Sequence, residues 1–99
     1  MRGYARKVDA NHKAISSYFT RLGCMVHQTI GDWDLTVTRM GVVALIEIKD
    51  PASPNLKRRN RGDKLLDDGW PIRKVMTLAD VMAVVTQMGK EARKREGME

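Results

Sequence analysis

Ninety-nine residues, 42% of them hydrophobic, suffice for one thin core and agree with a single compact domain. A single cysteine, Cys24, excludes an internal disulfide and reads as a small buried residue. No run of about 18 or more apolar residues and no leader-like pattern occurs, so a cytoplasmic protein without a membrane span is expected. A net charge of +6 and a pI near 9.8 favour a polyanionic partner, because each neutralised phosphate releases condensed counterions.

In chain order, residues 1–8 are basic and expected to be loose, with Arg2, Arg6 and Lys7 free to touch a phosphate backbone. Ala14, Ile15, Tyr18, Phe19 and Leu22 recur at helical spacing, which predicts a helix over 10–22 stopped by Gly23. A strand is expected over 25–29, and Gly31 and Asp32 turn the chain into two further strands, 33–38 and 42–49, the last ended by Asp50-Pro51. Residues 51–60 form a loop carrying Lys57, Arg58 and Arg59. A short helix over 61–68 adds Arg61 and Lys64 before Gly69 ends it and a strand follows at 72–76.

Thr77-Leu-Ala-Asp80 matches a capping box with Asp in place of Glu or Gln. It opens a helix whose Leu78, Val81, Met82, Val85 and Met88 form one stripe, and residues 89–99 read as a charged, frayed tail. The order α-β-β-β-α-β-α gives an α/β fold, a mixed central sheet flanked by helices, in one domain spanning 1–99.

The chemistry lies on the second and third strands, 33-WDLTVT-38 and 42-VVALIEIK-49. Side chains alternate along a strand, so Glu47 and Lys49 share a face with Val43 and Leu45, and Asp34 shares one with Thr36 and Thr38. A two-residue Met40-Gly41 loop pairs Arg39 with Val42, Thr36 with Leu45 and Asp34 with Glu47. A four-residue loop keeps that parity, whereas a three-residue loop sends the acids to opposite faces. The other face then collects Trp33, Leu35, Val37, Val42, Ala44, Ile46 and Ile48, ready to pack on helices. An isolated Glu-x-Lys is commonly only a cross-strand charge pair worth about 0.2–1 kcal/mol, with Asp32 or Asp34 an ordinary turn-proximal acid. The aligned second acid points further: two hard-oxygen ligands, Asp34 and Glu47, can hold Mg²⁺ or Mn²⁺ at a phosphate, with Lys49 orienting the attacking water.

The stretch GDWDLTVTRMGVVALIEIKD resembles the PD-(D/E)XK nuclease signature, in particular that of small phage and bacterial VRR-NUC proteins. Their pattern is close to G-x-P-D-L-h-V, a hairpin, then h-h-E-h-K, with h apolar; here Trp33 stands in place of the proline. The opening RKVDANHKAISSYFTRLG is similar to their first helix, with His12 where glutamine is usual, and the likeness spans about residues 6 to 88.

That resemblance implies a minimal restriction-endonuclease-like core with Asp34, Glu47 and Lys49 as catalytic residues. The backbone carbonyl of Ile48 joins Asp34 and Glu47 as a metal ligand, and a first-helix contribution would come from Asp9 or His12. It also implies a homodimeric endonuclease acting on branched or four-way junction DNA in a phage-infected or lysogenic bacterial cell. Arg6, Lys7, Lys57, Arg58, Arg59, Arg61 and Lys64 are the expected DNA contacts.

Other residues carry less. His12 and His27 lack a cysteine partner at zinc spacing, Trp33 reads as core rather than a base-stacking platform, and Trp70 divides between core and dimer interface. Two alternatives to an enzyme stand beside it. One is a nucleic-acid-binding or host-protein-inhibiting phage protein that keeps the fold without turnover. The other is a module that binds an acidic protein through its basic face.

Overall fold

The structure is a computed structural model that describes residues 10–29, 31–52 and 61–97. Arg6, Lys7, Asp9, Lys57, Arg58 and Arg59 therefore lie outside the described residues. The elements are α1 (Ala10–Arg21), β1 (Met25–Gln28), β2 (Leu35–Arg39), β3 (Val42–Ile48), α2 (Arg61–Asp67), β4 (Ile72–Val75) and α3 (Leu78–Arg95). The sheet order is β1-β2-β3-β4; the first three strands are antiparallel, and β4 lies parallel to β3 after a crossover through α2. This is the α/β order and mixed sheet expected from the letters.

The β2–β3 hairpin turns through Met40 and Gly41, both at positive φ (54° and 79°), the backbone that two-residue hairpins require. Arg39 pairs with Val42 and Thr36 with Leu45, the register read from the sequence. Arg95 at the far end of α3 donates to the Gly41 carbonyl at 2.7 Å and braces the turn.

One sheet face carries the core. Leu35, Val37, Val42, Ala44, Ile46 and Val75 pack against Ile15 and Phe19 of α1 and Val81, Val84, Met88 and Ala92 of α3. Helix α1 ends in a Schellman motif, with Gly23 N–H donating to Thr20 O and Cys24 N–H to Phe19 O, both at 3.0 Å. That closure delivers Cys24 to the core edge, where burial raises its thiol pKa against the opposing pull of Arg39.

Two expectations for α3 are corrected. Its buried stripe is Val81, Val84, Met88 and Ala92, while Leu78 and Met82 are 48% and 45% exposed. The helix must face α1 as well as the sheet, which rotates its contact line away from the Leu78–Met82 edge. Nor do residues 89 to 95 fray, because buried Ala92 and the Arg95 contact carry the helix through Arg95.

The capping box of α3 forms as expected. Thr77 Oγ1 accepts from Asp80 N–H at 3.1 Å, and Asp80 Oδ2 accepts from Met76 N–H at 2.8 Å and Thr77 N–H at 3.1 Å. The Met76 bond first, then the Thr77 bond, holds the Asp80 pKa below its ordinary value. A lowered carboxylate pKa contributes stability that is present above the unfolded-state value and lost as pH falls through the folded one. Thr77→Ala is expected to cost about 1 kcal/mol in urea unfolding at neutral pH. The deficit of Asp80→Ala should shrink on acidification below the ordinary carboxylate range; a pH-independent deficit would contradict the assignment.

Candidate functional site

Glu47, Lys49 and Lys74 occupy the sheet face opposite the core. Glu47 and Lys49 alternate with the core residues of β3, and Lys74 is aligned with Glu47 in the parallel β3–β4 register. Helix α2 crosses above them. Its first turn sets Asp63 against both lysines: Lys49 Nζ lies 2.9 Å from Asp63 Oδ2, and Lys74 Nζ lies 2.6 Å from Asp63 Oδ1. Lys49 Nζ is also 3.9 Å from Glu47 Oε2. The result is an alternating set of two carboxylates and two ammonium groups, with Glu47 and Asp63 each only 3% exposed.

Close approach of α2 depends on Gly62. A Cβ built there would overlap Glu47 Oε1 and lie 2.8 Å from its Cδ, so the helix backbone rests directly on the carboxylate. Any side chain at position 62 would displace the acid or lift the helix.

Asp34 joins this region by a route that alternation alone does not show. Ladder pairing of β2 with β3 stops at Leu35↔Ile46, and the Asp34 amide donates to that same Ile46 carbonyl at 2.9 Å. Asp34 and Leu35 thus both oppose Ile46, a bulge, in place of the expected Asp34–Glu47 pair. The Asp34 carboxylate instead accepts the Ile48 amide through Oδ2 at 2.8 Å, which fastens it to the β3 backbone between Glu47 and Lys49. Its carbonyl meanwhile accepts Thr29 N–H at 2.9 Å.

The bulge also corrects Trp33. An extra residue inverts side-chain alternation before it, so Trp33 leaves the core face and donates its indole N–H to Thr36 Oγ1 at 2.9 Å. There its ring lies 6.1 Å from that of Trp70, tilted by 36°.

From the first helix, Asn11 reaches the strand ends. Its side-chain amide donates to the Lys49 carbonyl at 2.8 Å and the Met76 carbonyl at 3.2 Å, tying α1 to the ends of β3 and β4. His12 lies at the same end of the sheet, with Nε2 2.8 Å from Gln28 Oε1, two strands from Lys49. Of the expected DNA contacts within the described residues, Arg61 pairs with Asp32 at 2.7 Å, and Lys64 is exposed.

The sequence reading did not single out Asp63, Lys74, Gly62 or Asn11. Asp63 follows a basic run in a short helix, where an acid ordinarily faces water. Lys74 becomes a neighbour of Glu47 only through the crossover register. The nearest signal was the pairing of the smallest residue with an acid, Gly62-Asp63, at the start of a helix after the Glu-x-Lys strand.

Among the described residues no group of three or more His, Cys, Asp or Glu side chains is arranged to hold a metal ion. The hard donors at the β3 end are the carboxylates of Asp34, which accepts the Ile48 amide, and of Glu47 and Asp63, both beside the Lys49 ammonium. None of the described helices is long and apolar enough to cross a membrane. No family model, curated protein or solved structure matches the chain.

Proposed function

We propose that this chain is a metal-dependent nuclease of the PD-(D/E)XK kind, hydrolysing phosphodiester bonds in branched DNA. The observation that carries this reading is the 2.8 Å bond from Ile48 N–H to Asp34, which ties the acid of one strand to the Glu47-x-Lys49 run of the next. Asp34, Glu47 and the Ile48 carbonyl would hold Mg²⁺ or Mn²⁺. That donor set suits such an ion because Mg²⁺ keeps several waters and takes few protein oxygens. When bound, the cation would withdraw charge from the phosphate and acidify a coordinated water.

The chain's own groups do the rest. Lys49 orients the attacking water and offsets charge developing on the phosphate. Asp63 holds that ammonium 3.9 Å from Glu47 Oε2, and Asn11 fixes the Lys49 carbonyl. Lys74, Arg61 and Lys64 offer cations to the flanking backbone. A two-fold pair of chains would set two such sites on opposed strands, the arrangement that suits paired nicks in a four-way junction.

The test is incubation of the full chain with four-way, flap, single-stranded and linear duplex DNA, with and without Mn²⁺, alongside sedimentation to count chains. Product only with metal, and preferentially from the junction, is expected. Equal nicking of linear duplex would remove the junction proposal, and metal-independent product would remove the mechanism.

A second reading, a nucleic-acid-binding protein without turnover, draws on the burial of Glu47 under Gly62. It predicts tight binding to the same DNAs and no product at any metal concentration.

A further inference from the structure

We propose that Trp33 and Trp70 form a stacking platform for an unpaired base, so that the nucleic acid taken at this face presents a splayed nucleotide at a branch, flap or single strand. The inference deepens the nuclease reading by naming the feature recognised, and it takes from that reading only the position of the chemistry.

Position is the first support. Thr36, which holds the Trp33 indole, pairs with Leu45, and Leu45 lies two residues before Glu47 on the same face of β3. Leu45 and Glu47 are about 7 Å apart along the strand, so the Thr36 anchor of Trp33 lies opposite the strand segment that carries Glu47. Trp33 itself immediately precedes Asp34.

Rigidity is the second. Gly69, at φ +99°, lets α2 end in a Schellman motif in which Gly69 N–H donates to Leu66 O at 3.1 Å and Trp70 N–H to Leu65 O at 3.0 Å. The Trp70 carbonyl then accepts Ile72 N–H at 2.8 Å. The Trp33 indole is held by Thr36 and the Trp70 backbone by the helix end, so little backbone ordering cost falls on binding. Trp70 is nevertheless 48% exposed and Trp33 half-buried, so the aromatic surface open to solvent is chiefly that of Trp70.

Charge argues for the occupant. Arg61 lies against Asp32, next to Trp33, with its side chain 75% exposed; Lys64 on α2 and Lys74 on β4 are exposed, as are Asp67 and Asp68 on the turn before Trp70. A second copy of a chain carrying +6 overall is repelled as a whole, whereas a polyanion with an aromatic base is attracted by that net charge and satisfies the rings.

These are the chain's only two tryptophans, so its indole emission reports on the platform alone. The experiment titrates Glu47→Gln, without divalent metal, with a short oligothymidylate and with a blunt duplex. Strong quenching by oligothymidylate and weak quenching by duplex are expected. Trp70→Ala should weaken oligothymidylate binding, followed by anisotropy of a labelled strand, about 5- to 150-fold, with Trp70→Phe restoring most of it. Circular dichroism of Trp70→Ala verifies its fold, and Trp70→Phe carries the comparison if the alanine variant unfolds. Equal quenching by duplex, wild-type affinity in Trp70→Ala, or no gain from phenylalanine would overturn the proposal. So would emission that changes with protein concentration alone, which would assign the surface to a second copy. Cleavage plays no part in these readouts: a chain that stacks bases but forms no product loses the nuclease reading and keeps this one.

Discussion

Glu47→Gln is expected to slow phosphodiester cleavage about 10²- to 10³-fold at matched Mn²⁺ while leaving binding of the same DNA intact. Glutamine keeps the shape beneath Gly62 and removes the charge, so the change addresses chemistry rather than packing. Asp34→Asn sharpens the comparison, because an asparagine oxygen can still accept the Ile48 amide. It should therefore melt like the wild type yet lose cleavage to a similar degree, whereas Asp34→Ala should lose both. Lys49→Ala removes the ammonium shared by Glu47 and Asp63 and is expected to be equally inactive, with added instability from two buried carboxylates brought closer to mutual repulsion. Rates measured on purified wild type and Glu47→Gln decide the matter, and equality between them would end the assignment.

Asp63→Ala is the second large effect, and it falls first on stability. Removing one partner from a buried ion pair typically costs about 3–5 kcal/mol because the other charge is stranded. Here Lys74 can swing into water and Lys49 retains Glu47 at 3.9 Å, so a smaller loss of about 1–3 kcal/mol is expected. The urea midpoint measures it. Asp63→Asn, which keeps an acceptor for Lys49, should recover part of the loss. A midpoint unchanged in Asp63→Ala would mean that the two lysines do not depend on this carboxylate. If Asp63 also aims Lys49, cleavage by Asp63→Asn should fall while its DNA affinity holds.

Most of the framework was legible in the letters because it rests on local rules. The Thr77–Asp80 box, the Gly23 stop and the Met40-Gly41 turn each involve a few neighbouring residues, and each forms as read. The hairpin register followed from the turn length, which placed Leu35, Val37, Val42, Ala44 and Ile46 in the core. What escaped the reading depends on distant parts of the chain. The bulge at Asp34 is set by what the Ile46 carbonyl and Ile48 amide can bond, and it moved Trp33 across the sheet. The seat of α2, and with it Asp63 and Gly62, depends on how a crossover of more than ten residues closes on β3. The phase of α3 answers to α1, to which periodicity within one helix is blind. Asn11 gave no sign of its role, since a helix-borne amide acquires one only when two strand ends come within its reach.

The absent side chain at position 62 makes that residue and the acid beneath it share one volume. Neither can drift alone: a methyl group above would demand a shorter acid below, and a shorter acid would open a void under the helix. Substitutions here are therefore expected to travel in pairs, a constraint written into the chain by steric exclusion rather than by charge.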